Sequence, residues 1–214
     1  MKTRLLMFVL GIFLMGMGVA IITKVDLGTS PISTIPYVLS YIAPGSFGFW
    51  TIMLSVVFIT LQMVLLRNFL ERTLYLQLLI SPILGFAIDI GMWLVQFYVP
   101  KMLVLRVLFL IIGYFVLAIG IYLQIQAKLV MNPGESIVQV LSEKVNKPFS
   151  TLKIFFDWTL VIAACILGLI FLKTPQGIGI GTLISAFLVG YFVKLISNWK
   201  MTERISFSLF KNNV

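Results

Sequence analysis

Six apolar segments, each about as long as a bilayer is thick, make up most of this chain. They cover residues 5–23, 49–66, 75–98, 103–126, 152–172 and 177–197. A helix needs ~20 apolar residues to cross ~30 Å of hydrocarbon. Only 11% of the residues are charged, against about 25% in soluble domains. The sequence therefore predicts an all-α polytopic bundle of six transmembrane helices. Residues 1–200 form one predicted membrane domain, and residues 201–214 a short basic cytoplasmic tail.

The chain also contains an internal repeat. Residues 4–40 match residues 106–142 with 11 identities in 37 ungapped pairs. The matches include Arg4 with Arg106, Gly11 with Gly113, Gly18 with Gly120, and Pro31 with Pro133. Repeat 1 (4–99) and repeat 2 (106–198) hold three apolar segments each. Because three crossings end on the opposite side of the membrane, the second copy must start inverted. The sequence predicts two inverted three-helix repeats.

Each repeat includes a polar segment that is too short to span a membrane. Ser30 precedes Pro31 in the first repeat, Asn132 precedes Pro133 in the second, and an amphipathic stretch of about ten residues follows each proline. A capping residue before a proline is typical of a helix start. We therefore expect one half-helix per repeat. The half-helices either re-enter the membrane or lie on its surface, and the sequence leaves both interpretations open.

The starts of these half-helices supply most of the predicted binding residues. The first turn of a helix has unpaired N–H groups and a partial positive charge, which attract anions and polar groups. Two re-entrant half-helices would meet between the repeats, around a small polar or anionic solute. The predicted substrate-binding residues there are Thr29, Ser30, Ser33, Thr34, Asn132, Glu135 and Ser136.

Three acidic residues fall within or beside the apolar segments. Asp89 joins the predicted site because it lies 14 residues into the third segment, and a carboxylate inside a membrane usually faces a cavity or a partner. Glu135 has a second interpretation, since an acid in a first helical turn complements the helix dipole. Asp157 can pair with Lys153 one turn earlier, so an ordinary ion pair is the favoured interpretation there.

The basic residues orient the chain and exclude some partners. With the N-terminus in the cytoplasm, 12 of the 16 Lys and Arg residues fall on the cytoplasmic side and 4 outside. This is the positive-inside pattern, and it predicts a multi-pass protein with both termini cytoplasmic. Because the basic residues lie between apolar segments, the net charge of +9 indicates contact with the lipid bilayer and not with nucleic acid.

Enzyme chemistry has little support in this sequence. The chain has no histidine, which is the commonest general base and transition-metal ligand. Its single cysteine, Cys165, lies in an apolar segment. We therefore expect no enzyme activity and no cofactor. Gly177, Gly179 and Gly181 lack the Lys-Ser or Lys-Thr of a phosphate loop. They are expected to allow close packing or a tight turn.

Two motifs resemble a known group of proteins. The stretch Gly18-Val19-Ala20 followed by Asp26-Leu27-Gly28-Thr29-Ser30-Pro31 is similar to the opening "G-x-A…A-D-L-G-x-S-P" of the YczE/YyaS/YitT group of bacterial integral membrane proteins. The run Gly177-Ile178-Gly179-Ile180-Gly181-Thr182 is similar to that group's glycine–threonine run before the last helix. The resemblance implies a small multi-helix protein of the bacterial plasma membrane, and it implies no particular substrate.

Two functional hypotheses follow from the sequence. The first is a transporter or permease for a small polar or anionic solute, with its site between the two repeats. The alternative is a non-transporting membrane partner, or a substrate-binding or regulatory subunit of a larger membrane complex. The expected partners are the bilayer, the solute, and either a second copy of the chain or another membrane protein.

Overall fold

The computed structural model describes residues 2–67, 71–96 and 101–198. The predicted tail 201–214 lies outside the described residues. Within the described ranges the chain forms eight helices and no strand. They are α1 Lys2–Lys24, α2 Pro31–Ile42, α3 Phe47–Leu66, α4 Arg72–Val95, α5 Leu103–Ala127, α6 Pro133–Val145, α7 Phe149–Leu172 and α8 Ile180–Asn198.

Five of the described helices are long and apolar enough to cross a membrane. They are α1, α3, α4, α5 and the part Thr151–Leu172 of α7. The all-α membrane fold predicted from the sequence is confirmed at this level. Helix α8 is also apolar, but its apolar part Ile180–Ile196 is shorter than these five. The sixth span therefore stays a prediction.

Helices α2 and α6 occur where the sequence predicts half-helices. They have 12 and 13 residues, fewer than the ~20 that a crossing needs. Each begins with its proline, after an N-cap residue, Ser30 or Asn132, with extended backbone. Neither side chain caps its own helix, so the polar atoms of Ser30 and Asn132 remain for other partners.

Helices α1 and α5 pack closely through glycines that the repeat relates. A Cβ atom at Gly18 would lie 2.6 Å from the Leu117 backbone nitrogen, and one at Gly120 would lie 2.6 Å from that of Met15. Along α1 from Met15 to Gly18, the contacted residue of α5 changes from Gly120 to Leu117. Because the numbers rise in one helix and fall in the other, the two helices are antiparallel. Met15 matches Leu117 in the repeat, and Gly18 matches Gly120. Each contact is therefore the repeat equivalent of the other.

The remaining helices interlock the first half of the chain (α1–α4) with the second half (α5–α8). Helix α2 packs on α7, and α6 packs on α3. Helix α1 also contacts α4, as α5 contacts α8. The main apolar core lies around α1, α4 and α5, and includes Ile12, Ile22, Ile88 and Tyr114. Each short helix is thus held by a long helix from the other half.

The glycine run before α8 is a tight turn that packs against the loop between α1 and α2. The Gly181 backbone N–H donates to the Leu27 carbonyl oxygen at 2.8 Å. A Cβ at Gly179 would lie 2.4 Å from that same oxygen. Gly28 has a φ of +131°, and a Cβ there would lie 2.6 Å from the Thr182 nitrogen. The close packing predicted for these glycines is confirmed.

Candidate functional site

A cavity of about 330 Å³ lies between the two halves of the chain, and the starts of α2 and α6 both line it. The two short helices approach each other at their first turns. A Cβ at Gly134 would lie 3.0 Å from the Ile32 side chain. Ile32 and Gly134 are matching positions of the sequence repeat. The half-helices therefore meet at equivalent residues, next to one shared cavity.

Four of the predicted site residues line this cavity. Ser30 and Ser33 come from the start of α2, and Asn132 and Glu135 come from the start of α6. The Ser30 hydroxyl donates to the Ser33 hydroxyl oxygen at 2.7 Å. The cavity thus brings together polar residues that lie about a hundred positions apart in the sequence.

Thr29 and Thr34, also predicted to bind substrate, lie outside the cavity wall and are fully buried. The Thr29 backbone N–H donates to Thr182 Oγ1 at 3.1 Å. The Thr34 hydroxyl donates to the Pro31 carbonyl oxygen at 2.6 Å. Both threonines hold the start of α2 in place, and neither presents its hydroxyl to the cavity.

Asp89 also lies outside the cavity wall. Its carboxylate accepts a hydrogen bond from the Gly48 backbone N–H at 2.8 Å and one from the Ser46 hydroxyl at 2.5 Å. Ser46 is the N-cap residue of α3, and its side chain accepts from the Phe49 N–H. A carboxylate there pairs with the unsatisfied N–H groups and complements the positive end of the helix dipole. Asp89 therefore fixes the start of α3.

Ser136, the eighth predicted residue, belongs to a buried polar cluster that holds the start of α6 against α3 and α4. The side-chain amides of Gln62 and Gln77 exchange hydrogen bonds of 3.0 and 3.2 Å. The Ser136 hydroxyl donates to Gln62 Oε1 at 2.8 Å and accepts from Gln77 Nε2 at 2.9 Å. With its hydroxyl satisfied in this way, Ser136 positions α6 and does not line the cavity.

We expect the Gln77→Leu variant to melt at a lower temperature than the wild type in detergent. The substitution removes the two hydrogen bonds that Gln77 exchanges with Gln62 and the one that it donates to Ser136, each worth about 0.5–1.5 kcal/mol. Gln139→Leu is the matched control, because Gln139 donates to Glu143 on the exposed side of α6, outside the cluster. Equal melting temperatures for the two variants would contradict a supporting role for the cluster.

The sequence analysis missed four polar residues of the cavity wall: Gln124, Thr51, Ser55 and Ser185. The three hydroxyls donate to backbone carbonyls of their own helical segments. Gln124 is different, because its side chain is a buried amide in a mainly apolar helix. A polar side chain in a membrane helix usually faces a cavity or a partner, so Gln124 could have been found by that rule.

Two buried amides in the cavity wall each have one unpaired polar atom. Asn132 is 4% exposed and Gln124 is 6% exposed. No described residue donates a hydrogen bond to Asn132 Oδ1, and none accepts one from Gln124 Nε2. Buried polar atoms are nearly always paired, and an unpaired one costs about 1–3 kcal/mol. Both atoms have almost no accessible surface, so each amide would contact a ligand in the cavity through that atom only after its side chain turns.

Three charged side chains line the cavity among the described residues: Glu135, Lys153 and Asp157. The Lys153 ammonium donates to Asp157 Oδ1 at 2.5 Å, which confirms the ion pair between them expected from the sequence. Glu135 forms no salt bridge with any described residue. The described part of the chain also contains no cluster of three or more Cys, Asp or Glu side chains that could hold a metal ion.

Together, the apolar helices and the polar cavity define a small helical membrane protein with a candidate site between its halves. The chain belongs to a family of unknown function, DUF6198, whose model matches residues 2–198. It is similar to the uncharacterized protein YyaS of Bacillus subtilis (strain 168), with 27% identity over 183 residues, 85% of this chain and 86% of YyaS. No solved structure matches the chain. The YyaS-like family predicted from the motifs is confirmed, and these comparisons name no substrate.

Proposed function

We propose that this protein is a transporter or permease for a small polar solute, with the cavity as its binding site. The observation that carries the proposal is the meeting of the α2 and α6 starts, at Ile32 and Gly134, beside one cavity. Helix starts offer N–H groups and a positive dipole end to a ligand. In transporters with broken helices, such starts bind the solute near the middle of the membrane.

The proposal includes two inverted repeats of three spans each. It is supported by the antiparallel packing of α1 and α5 through repeat-related glycines, and by the reciprocal packing of α2 on α7 and α6 on α3. If α1 and α5 both cross the membrane, their antiparallel arrangement gives the two repeats opposite orientations. Helices α2 and α6 would then re-enter from opposite sides, with α8 as the sixth span and both termini in the cytoplasm of a bacterium.

Within this site we assign solute contacts to residues whose side chains have a polar atom available for a hydrogen bond to the solute. Asn132 and Gln124 each have an unpaired buried atom. Among the described residues, the Ser30 hydroxyl bonds to Ser33 alone, so it can turn toward a solute. Thr29, Thr34, Ser136 and Asp89 are assigned no contact with solute, since each supports a helix start.

We expect the purified protein in liposomes to take up at least one of four labelled probes: a primary amine, a neutral amino acid, a monocarboxylate or inorganic phosphate. Ser30→Ala and Asn132→Ala should each lower the initial rate about tenfold, because each removes one polar contact in an apolar cavity. Thr60→Ala should leave the rate unchanged, since its exposed hydroxyl bonds only to its own helix.

Unchanged uptake in both Ser30→Ala and Asn132→Ala would contradict the assignment of the site. Uptake of no probe, together with a stoichiometric second protein after purification in mild detergent, would instead favour the non-transporting partner or regulatory subunit. The same purification gives the size of the complex, which shows whether the chain associates with a second copy.

A further inference from the structure

We propose that the cavity binds a small organic ammonium ion with an apolar body, and that Glu135 is its counter-ion. The inference rests on the proposed function, because it names the solute class for that same site. It narrows the expectation from the sequence, which covered polar and anionic solutes.

The charges of the cavity wall point to a cation. Lys153 is paired with Asp157 and also acts electrostatically on Glu135, so the described charged residues of the wall hold one more acid than base. An isolated charge in an apolar membrane interior is costly, and such groups normally face a partner or a cavity. An ammonium group next to Glu135 would supply the missing opposite charge.

The unpaired amides fit the same ligand. Asn132, whose acceptor Oδ1 is unpaired, occupies the N-cap position of the helix whose first turn contains Glu135. An ammonium group has three N–H donors and can serve a carboxylate and an amide oxygen together. The unpaired donor of Gln124 leaves room for one acceptor, such as a hydroxyl, elsewhere on the ligand.

The rest of the wall is mainly apolar. Its side chains include Met15, Val19, Leu84, Ile88, Leu117 and Ile121. A volume of about 330 Å³ is at the small end of ligand cavities, which range from about 300 to 1,000 Å³. The cavity therefore suits a small ligand with one charged end and a hydrocarbon body.

An anion is disfavoured even though two helix starts face the cavity. Each helix start contributes a positive charge of roughly one half. Glu135 lies in the first turn of α6, and its carboxylate, when ionised, outweighs that contribution. An anion at this helix start would sit beside Glu135 without a free cation, since Lys153 is held by Asp157.

Three probes with one hydrocarbon body test the inference: phenethylammonium, phenethyl alcohol and 3-phenylpropionate. Binding to the purified protein in detergent is measured by calorimetry, and uptake is measured in liposomes. We expect phenethylammonium to bind about tenfold tighter than the alcohol, because it alone pairs with the carboxylate. The carboxylate probe should bind weakest of the three.

Glu135→Gln should abolish the preference for the ammonium probe and retain binding of the alcohol, which also shows that the variant is folded. Glu143→Gln is the matched control, because Glu143 lies in the same helix with its side chain exposed. Tightest binding by the carboxylate, equal binding of all three probes, or no binding at all would overturn the inference.

The two proposals can fail separately. Ammonium binding that depends on Glu135, without uptake of any probe, would support the cation site and count against transport. Uptake of the carboxylate probe alone would support transport and overturn the cation site.

Discussion

A membrane-impermeant thiol reagent should label the Asp26→Cys variant on intact spheroplasts and should leave the Lys128→Cys variant unlabelled, both in a Cys165→Ala background. Asp26 and Lys128 are matching positions of the repeat. Each follows the end of a long helix, and both side chains are exposed. Because α1 and α5 are antiparallel, these two ends lie on opposite sides if both helices cross the membrane. The 12-to-4 distribution of basic residues predicts that the end of α1 lies outside.

Asp26 and Lys128 are also matched in backbone conformation, so each variant controls for strain in the other. Asp26 and Lys128 share the left-handed backbone conformation, with φ of 57° and 50°, so any strain from cysteine should be similar in both variants. After permeabilisation both variants should label equally. Equal labelling of both on intact spheroplasts would contradict the inverted repeats, and with them the proposed convergence of α2 and α6 inside the membrane. Labelling of the Lys128→Cys variant alone would keep the repeats inverted and contradict the cytoplasmic termini.

The starts of the half-helices could be predicted from the sequence because their causes are local. A proline at the first helical position acts within one turn, whereas neither Ser30 nor Asn132 caps its helix with its side chain. The structure accordingly begins α2 at Pro31 and α6 at Pro133. The same holds for the Lys153–Asp157 ion pair, whose partners are one turn apart in one helix.

The roles of Asp89 and Ser136 could not be predicted, because they depend on residues far away in the chain. Asp89 bonds to Ser46 and Gly48, more than forty positions earlier. Ser136 bonds to Gln62, which lies 74 positions earlier in the sequence. A carboxylate or hydroxyl in an apolar segment signals a polar neighbour, but its position in the sequence does not distinguish a distant helix start from a solute.

The crossing of α1 and α5 should be the point most sensitive to added volume. In the Gly120→Ala variant the new Cβ would lie 2.6 Å from the Met15 nitrogen and 2.7 Å from the Gly11 oxygen. Both atoms belong to the backbone and cannot turn away, so the helices must separate. Overpacking of this kind costs about 1–3 kcal/mol, and we expect a lower melting temperature in detergent and a reduced folded yield. Gly18→Ala, the repeat-equivalent change, should behave in the same way.

Gly190→Ala is the matched control for the melting temperatures of both glycine variants, but not for ligand binding, because Gly190 lines the cavity. Gly190 also lies within a helix, yet a Cβ there would meet no atom within 4 Å. The change should be neutral or slightly stabilising, because alanine favours a helix interior by roughly 0.5–1 kcal/mol over glycine. Met15 and Leu117, the residues that Gly120 and Gly18 contact, also line the cavity. Separation of α1 and α5 should therefore weaken binding of the ammonium probe as well. Normal melting and normal binding in Gly120→Ala would contradict the tight crossing from which the symmetry of the two halves is inferred.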